Sequence, residues 1–200
     1  MNKADLRNNH RQFERHVERS EDFATRLLAA ERVVRLEDKQ RIAEATILRL
    51  SSYWEWFIDQ ELLDCININS RRLAQYLEVK HKHLNIEMCR AILFRGGYLD
   101  FRSVQAAKRF AKDILPDEVN PFRLIEPSTA SKVDELFTIK NYLVHRSFAA
   151  KRALKKMYRK NYEIRIFQEP GRFLVAHRGR RLRSYIEALR RASTQMEAIV

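Results

Sequence analysis

The sequence is short of the residues that interrupt helices and of those that staple small domains. Four glycines and four prolines are spread over 200 residues, and none of them precedes Gly96. Glycine and proline are the strongest breakers of helix interiors, so the first half is free to run as long helices. Two cysteines, Cys65 and Cys89, make no disulfide framework and fit a reducing compartment. Long apolar runs are absent as well. The longest hold about four residues, such as Ala91 to Phe94, where a bilayer span needs about 20. The N-terminal stretch MNKADLRNNHRQFERHVERS has no apolar core of the kind a secretory signal requires. These absences lead us to expect a cytoplasmic protein with no membrane partner. There is also no Gly-rich phosphate loop, no Ser-His-Asp arrangement and no helix-turn-helix signature.

What is present is hydrophobic residue enough, 45% of the chain, for one domain over residues 1–200 with a full core. Periodic apolar positions predict a helix over about 5–35 (Phe13, Val17, Ala24, Leu27, Leu28, Val34). A second, capped by Asp38, is expected to run to about Ile66 through Ile47, Leu50, Trp54, Ile58 and Leu62. Both tryptophans and Phe57 fall on it, so it should be central to the core. Shorter helices are expected to Tyr76, over Ile86–Arg95 before Gly96-Gly97, and over Phe101–Leu115 before Pro116. Asp117 to Pro127 reads as a loop. A helix from about Ser131 to Ser147 follows, capped by Ser128 or Thr129, with Val133, Leu136, Phe137 and Val144 facing the core. A basic helix is expected over Ala149–Tyr162. Ile164–Phe167 and Phe173–Ala176 around Glu169-Pro170-Gly171 read as a short hairpin, and a last helix covers about Arg180–Ala198. The expected fold class is therefore all-α with a small C-terminal β-hairpin, and a basic extension from about residue 163.

Charge is unevenly placed. The formal net charge is +13, yet residues 140–200 carry 16 Lys or Arg against 4 Asp or Glu. Nearly all the excess begins at Lys140. A solvated helix face normally mixes signs, so this polarity favours an anionic partner, with nucleic acid first. An anionic membrane surface, an acidic protein or a merely solubilising basic surface are the other readings.

The excess starts at Lys140-Asn141-Tyr142-Leu143-Val144-His145. Asn141 and His145 are four apart and share a helix face. An imidazole beside fixed cations suits phosphodiester cleavage, because it can move a proton while the cations hold the phosphate. Lys140, Asn141 and His145 are the candidate catalytic residues. Arg146, Lys151, Arg152, Arg180, Arg181 and Arg183 are the candidate RNA contacts, with Tyr185 beside the last group. The alternative for the motif is a helix C-terminus decorated with cations that favour the dipole, and for the tail an ordinary amphipathic helix. Cys65, His81, His83 and Cys89 offer four donors, but His81-Lys82-His83 lacks zinc-site spacing, so no metal or cofactor is expected. Glu55 either contacts the motif helix or is a solvated carboxylate, the latter being favoured. His10, His16 and His177 read as surface groups.

Phe137 to Ser147 resembles the signature of the HEPN superfamily (higher eukaryotes and prokaryotes nucleotide-binding), an arginine, then four to six residues of which the first is polar and often Asn, then a histidine. Tyr53-Trp54-Glu55-Trp56-Phe57 is similar to the aromatic-acidic patch on that family's early helix. Gly96 to Phe101 and Asn120-Pro121-Phe122 resemble the RiboL-PSP-HEPN branch. The resemblance covers roughly residues 20–160 and implies an all-α HEPN-like bundle, working as a homodimer with the two motifs meeting across the interface. It implies metal-independent endoribonuclease activity, in a toxin or phage-defence setting with an antitoxin or defence partner. Its alternative is a non-catalytic module that binds RNA or a partner protein. A DNA-binding accessory protein is a third class. The family's motif arginine is Lys140 here, which keeps the charge but lacks the planar fork that grips phosphate.

Overall fold

The computed structural model describes residues 3–30, 34–79, 84–93 and 103–199, and every regular element among them is helical. In chain order these are α1 (Lys3–Ala29), α2 (Leu36–Ile68), α3 (Arg71–Tyr76), α4 (Ile86–Leu93), α5 (Val104–Ile114), α6 (Pro127–His145), α7 (Phe148–Tyr162) and α8 (Pro170–Glu197). Two 3-10 turns, Asp117–Val119 and Pro121–Leu124, bridge α5 and α6. The all-α expectation holds. His81, His83, Arg95, Gly96-Gly97 and the stretch to Phe101 lie outside the described residues.

Helix α2 is the axis of the molecule and packs against α1, α8, α6 and α4. Its stripe is continuous because Ile47, Leu50, Trp54, Phe57 and Leu62 recur at helical spacing, and all are buried. Phe13 of α1 stacks on Phe57 with ring centroids 4.6 Å apart. Each such side chain removed from water contributes roughly 1.5–3 kcal/mol.

The scarcity of glycine shows at the helix ends. Glu78, Arg146, Glu163, His177 and Arg178 all take positive φ without being glycine. Arg146 (φ 48°) ends α6 and Glu163 (φ 57°) ends α7. The left-handed turn costs an ordinary residue about 1–2 kcal/mol. The closing hydrogen bonds offset part of this: Arg146 N–H donates to Tyr142 O at 2.9 Å, and Ile164 N–H to Tyr158 O at 3.1 Å.

Several boundaries differ from the sequence reading. Asp38 lies in the first turn of α2 and the cap position falls to Arg35. Helix α6 starts earlier, after Glu126, because Pro127 occupies its first turn, where its missing N–H costs nothing. No strand occurs among the described residues, so the expected hairpin is absent from them. Residues 163–169 form an irregular connector, and Phe173–Ala176 belong to α8. Glu169-Pro170-Gly171, which read as a turn, is a helix start. Pro170 sits in the first turn, and Gly171 lets α8 approach α2 closely: a Cβ there would lie 2.7 Å from Gln40 Cβ. Helix α8 also kinks at 176–179.

Candidate active site

Helices α2 and α6 cross antiparallel, because Lys140 meets Glu55 while Arg146, further along α6, meets Glu44, earlier on α2. The motif therefore lies against the middle of α2. Val133, Leu136, Phe137, Ile139 and Tyr142 anchor α6 in the core. Val144 was expected there too, but it is 53% exposed. The last turn of α6 thus leaves the core and presents its residues to solvent.

Lys140 Nζ donates to Glu55 Oε1 at 2.9 Å, and both side chains are about one-fifth exposed. Glu55 is a partner of the motif and not the solvated carboxylate expected from sequence. One turn further along α2, Asp59 is buried, and its carboxyl is pushed up to about 7, by burial first and by the nearby Glu55 charge second. The α2 face that carries Glu55 thus also carries a carboxyl that keeps its proton up to about neutral pH. The sequence reading missed Asp59, whose only signal is its place one helical turn after Glu55 on an otherwise apolar stripe.

Arg146 is held by carboxylates too. Its guanidinium bonds Glu169 Oε2 at 2.8 Å, lies over the Tyr142 ring at 4.9 Å and reaches Glu44 Oε2 at 4.0 Å. Tyr142 Oη also donates to Glu169, at 3.2 Å. Glu44 in turn accepts the Gly171 N–H at 2.8 Å, satisfying one of the orphan donors of the α8 N-terminus. These contacts lock the end of α6 to the start of α8.

Asn141 and His145 stand apart from this lattice of ion pairs. Asn141 is half-buried and His145 exposed. Neither side chain has a hydrogen-bond or ion-pair partner among the described residues. Four residues apart, they share one face of the last turns of α6. The chain next to His145 is apolar as well as basic: Val144 is 53% exposed and Phe148 82%.

The remaining candidates divide. Arg152 and Arg180 are exposed on α7 and α8. Lys151 caps the Phe167 ring at 4.7 Å. Arg181 packs over Phe173 at 4.3 Å and donates to Phe173 O, so it serves the fold of α8 first. Arg183 donates to Arg178 O at the kink. The helical row Arg152, Lys155, Lys156 and Arg159 was in plain view in the sequence, at spacings of three and four, and the last three were not singled out.

The histidines outside the motif differ from expectation. His10 is buried, with Nδ1 3.0 Å from Ser193 Oγ and Nε2 3.4 Å from Glu61 Oε2. His16 is half-buried and stacks on Tyr53 at 4.1 Å. Only His177 is exposed as read. Cys65 and Cys89 are buried free thiols, and no group of metal-ligating side chains occurs among the described residues. No helix among those described is long and apolar enough to cross a membrane.

No family model, curated protein sequence or solved structure matches this chain.

Proposed function

We propose that the chain is a metal-independent endoribonuclease of HEPN type, active as a homodimer, with His145 as its proton-transfer group. The observation that carries this reading is the open pair on the motif face. Asn141 and His145 are the two polar motif side chains without a hydrogen-bond or ion-pair partner among the described residues, while Lys140 and Arg146 are tied down around them. In the proposed reaction His145 removes the proton of a ribose 2′-hydroxyl, whose oxygen attacks the adjacent phosphate. The 5′-oxygen of the next nucleotide leaves and takes a proton from the protonated His145 of the second copy. The products are a 2′,3′-cyclic phosphate and a 5′-hydroxyl. Such proton transfer is worth about 10²–10⁴ in rate. Asn141 donates its carboxamide N–H to a phosphate oxygen. Lys140 is fixed by Glu55, so it orients the motif helix and supplies positive potential only in part. The exposed Val144 and Phe148 supply an apolar surface beside His145 where two copies would meet.

A second reading is favoured by the same ion pairs. The Glu55–Lys140 and Glu169–Arg146 contacts neutralise both cations that flank His145, which suits a module that binds RNA without cutting it. The two readings separate in one experiment: purified protein and His145→Ala are incubated with mixed RNA in EDTA. Cleavage by the wild type that disappears in the variant supports the nuclease. Retention of RNA by both without cleavage supports the binding module.

A further inference from the structure

The cations best placed to hold a nucleic acid are not those of the motif. Arg152, Lys155, Lys156 and Arg159 form one stripe on α7, at spacings of three and four residues. At a rise of about 1.5 Å per residue the stripe is roughly 10 Å long. The left-handed turn at Glu163 sends the following connector back across this face, so that Ile164, Arg165 and Phe167 form the opposite wall. The result is a pocket of about 300 Å³ with five cations and no carboxylate in its lining. None of the five has an ion-pair or hydrogen-bond partner among the described residues. Lys155 and Lys151 instead rest on the Phe167 ring, at 5.8 and 4.7 Å. Like charges at these helical spacings repel one another. An anion seated between them relieves that repulsion, whereas Lys140 and Arg146 would first have to surrender a carboxylate.

We propose that this pocket is an exosite that grips the phosphate backbone of a single-stranded nucleic acid, separate from the motif face. Phosphates follow one another at roughly 3.4 Å along a stacked strand, so the stripe meets about three of them. The concave shape decides for a threaded strand over a flat lipid surface, which would touch only the rim. Arg and Lys that contact phosphates carry no sequence information, so binding through the stripe is governed by backbone charge and not by base identity. The pocket deepens the RNA reading above by giving the substrate a second point of attachment. It can fail independently of that reading, because binding is measured apart from cleavage.

The test is fluorescence anisotropy of a short labelled oligouridylate between about 50 and 200 mM salt, with the full chain carrying His145→Ala so that nothing is cut. The variant Lys156→Ala/Arg159→Ala, both positions exposed, is compared with Arg11→Ala/Arg15→Ala on α1, which removes the same charge elsewhere. The exosite predicts at least a tenfold loss of affinity for the first variant and less than twofold for the second. It also predicts a log–log salt slope shallower by about 1.4, because two fewer phosphates are neutralised, at about 0.7 each. An equal loss in both variants would show diffuse attraction and overturn the proposal. An unchanged slope would overturn it as well, and so would a loss of binding to phosphatidylserine vesicles without any loss of RNA affinity.

Discussion

Asp59→Asn should stabilise the protein, and by more as pH rises. The carboxyl of Asp59 is 9% exposed and titrates near 7 in the fold, against about 3.9 in an unfolded chain. The folded state therefore holds this proton more tightly than the unfolded state does. Below about pH 4 both states are protonated and the side chain costs nothing. As pH rises, the unfolded chain releases the proton first, and stability falls until the folded group has also ionised, near pH 7 to 8. The gap of about three pKa units corresponds to about 4 kcal/mol in all, of which about 2–3 kcal/mol is lost between pH 5 and 8. Asparagine has nearly the same shape and no proton to lose, so it removes the slope. Urea unfolding of both proteins in steps across that range gives the difference directly, and titrations common to both cancel. The variant's advantage should grow by about 2–3 kcal/mol toward pH 8. Two profiles that run parallel would refute burial of the Asp59 carboxyl as the cause of its raised pKa.

Three further outcomes follow. A double-mutant cycle on Lys140→Ala and Glu55→Ala should return a coupling of about 1–2 kcal/mol, above the range of exposed pairs, since both partners are mostly buried; a coupling near zero would make the contact ornamental. Gly171→Ala should cost about 1–3 kcal/mol in urea unfolding, because its Cβ would sit 2.7 Å from Gln40 Cβ and 2.9 Å from Gln40 O; unchanged stability would deny the close approach of α8 to α2. Phe148→Glu, at a position 82% exposed, should keep the helical circular-dichroism spectrum and halve the mass seen by light scattering; a wild type that is already monomeric would contradict the dimer.

The parts of this molecule that the sequence exposed are those governed by local rules. The run of α2 could be read because nothing breaks it before Ile68 and its apolar residues recur at helical spacing. The end of the motif helix was legible to within two residues for the same reason. The hairpin failed because Glu-Pro-Gly serves two uses, a turn or a helix start, and the choice depends on Gln40 and Glu44 of a distant helix. His10 was misplaced for a like reason: its partners, Glu61 and Ser193, lie 51 and 183 positions away in the chain. Which cations are free is equally invisible along the chain. Lys140 and Lys156 look alike in sequence, yet among the described residues the first meets a carboxylate and the second does not. The motif's residue types could be named in advance, but the neutralising role of Glu55 and Glu169 required three dimensions.

The most direct measurement is the chemistry of the RNA ends left after incubation with the protein in EDTA. Attack by the 2′-hydroxyl, with His145 moving the proton, predicts 2′,3′-cyclic phosphate and 5′-hydroxyl termini, both absent with His145→Ala. Ends bearing 3′-hydroxyl and 5′-phosphate, or the same cyclic termini from the variant, would contradict the assignment.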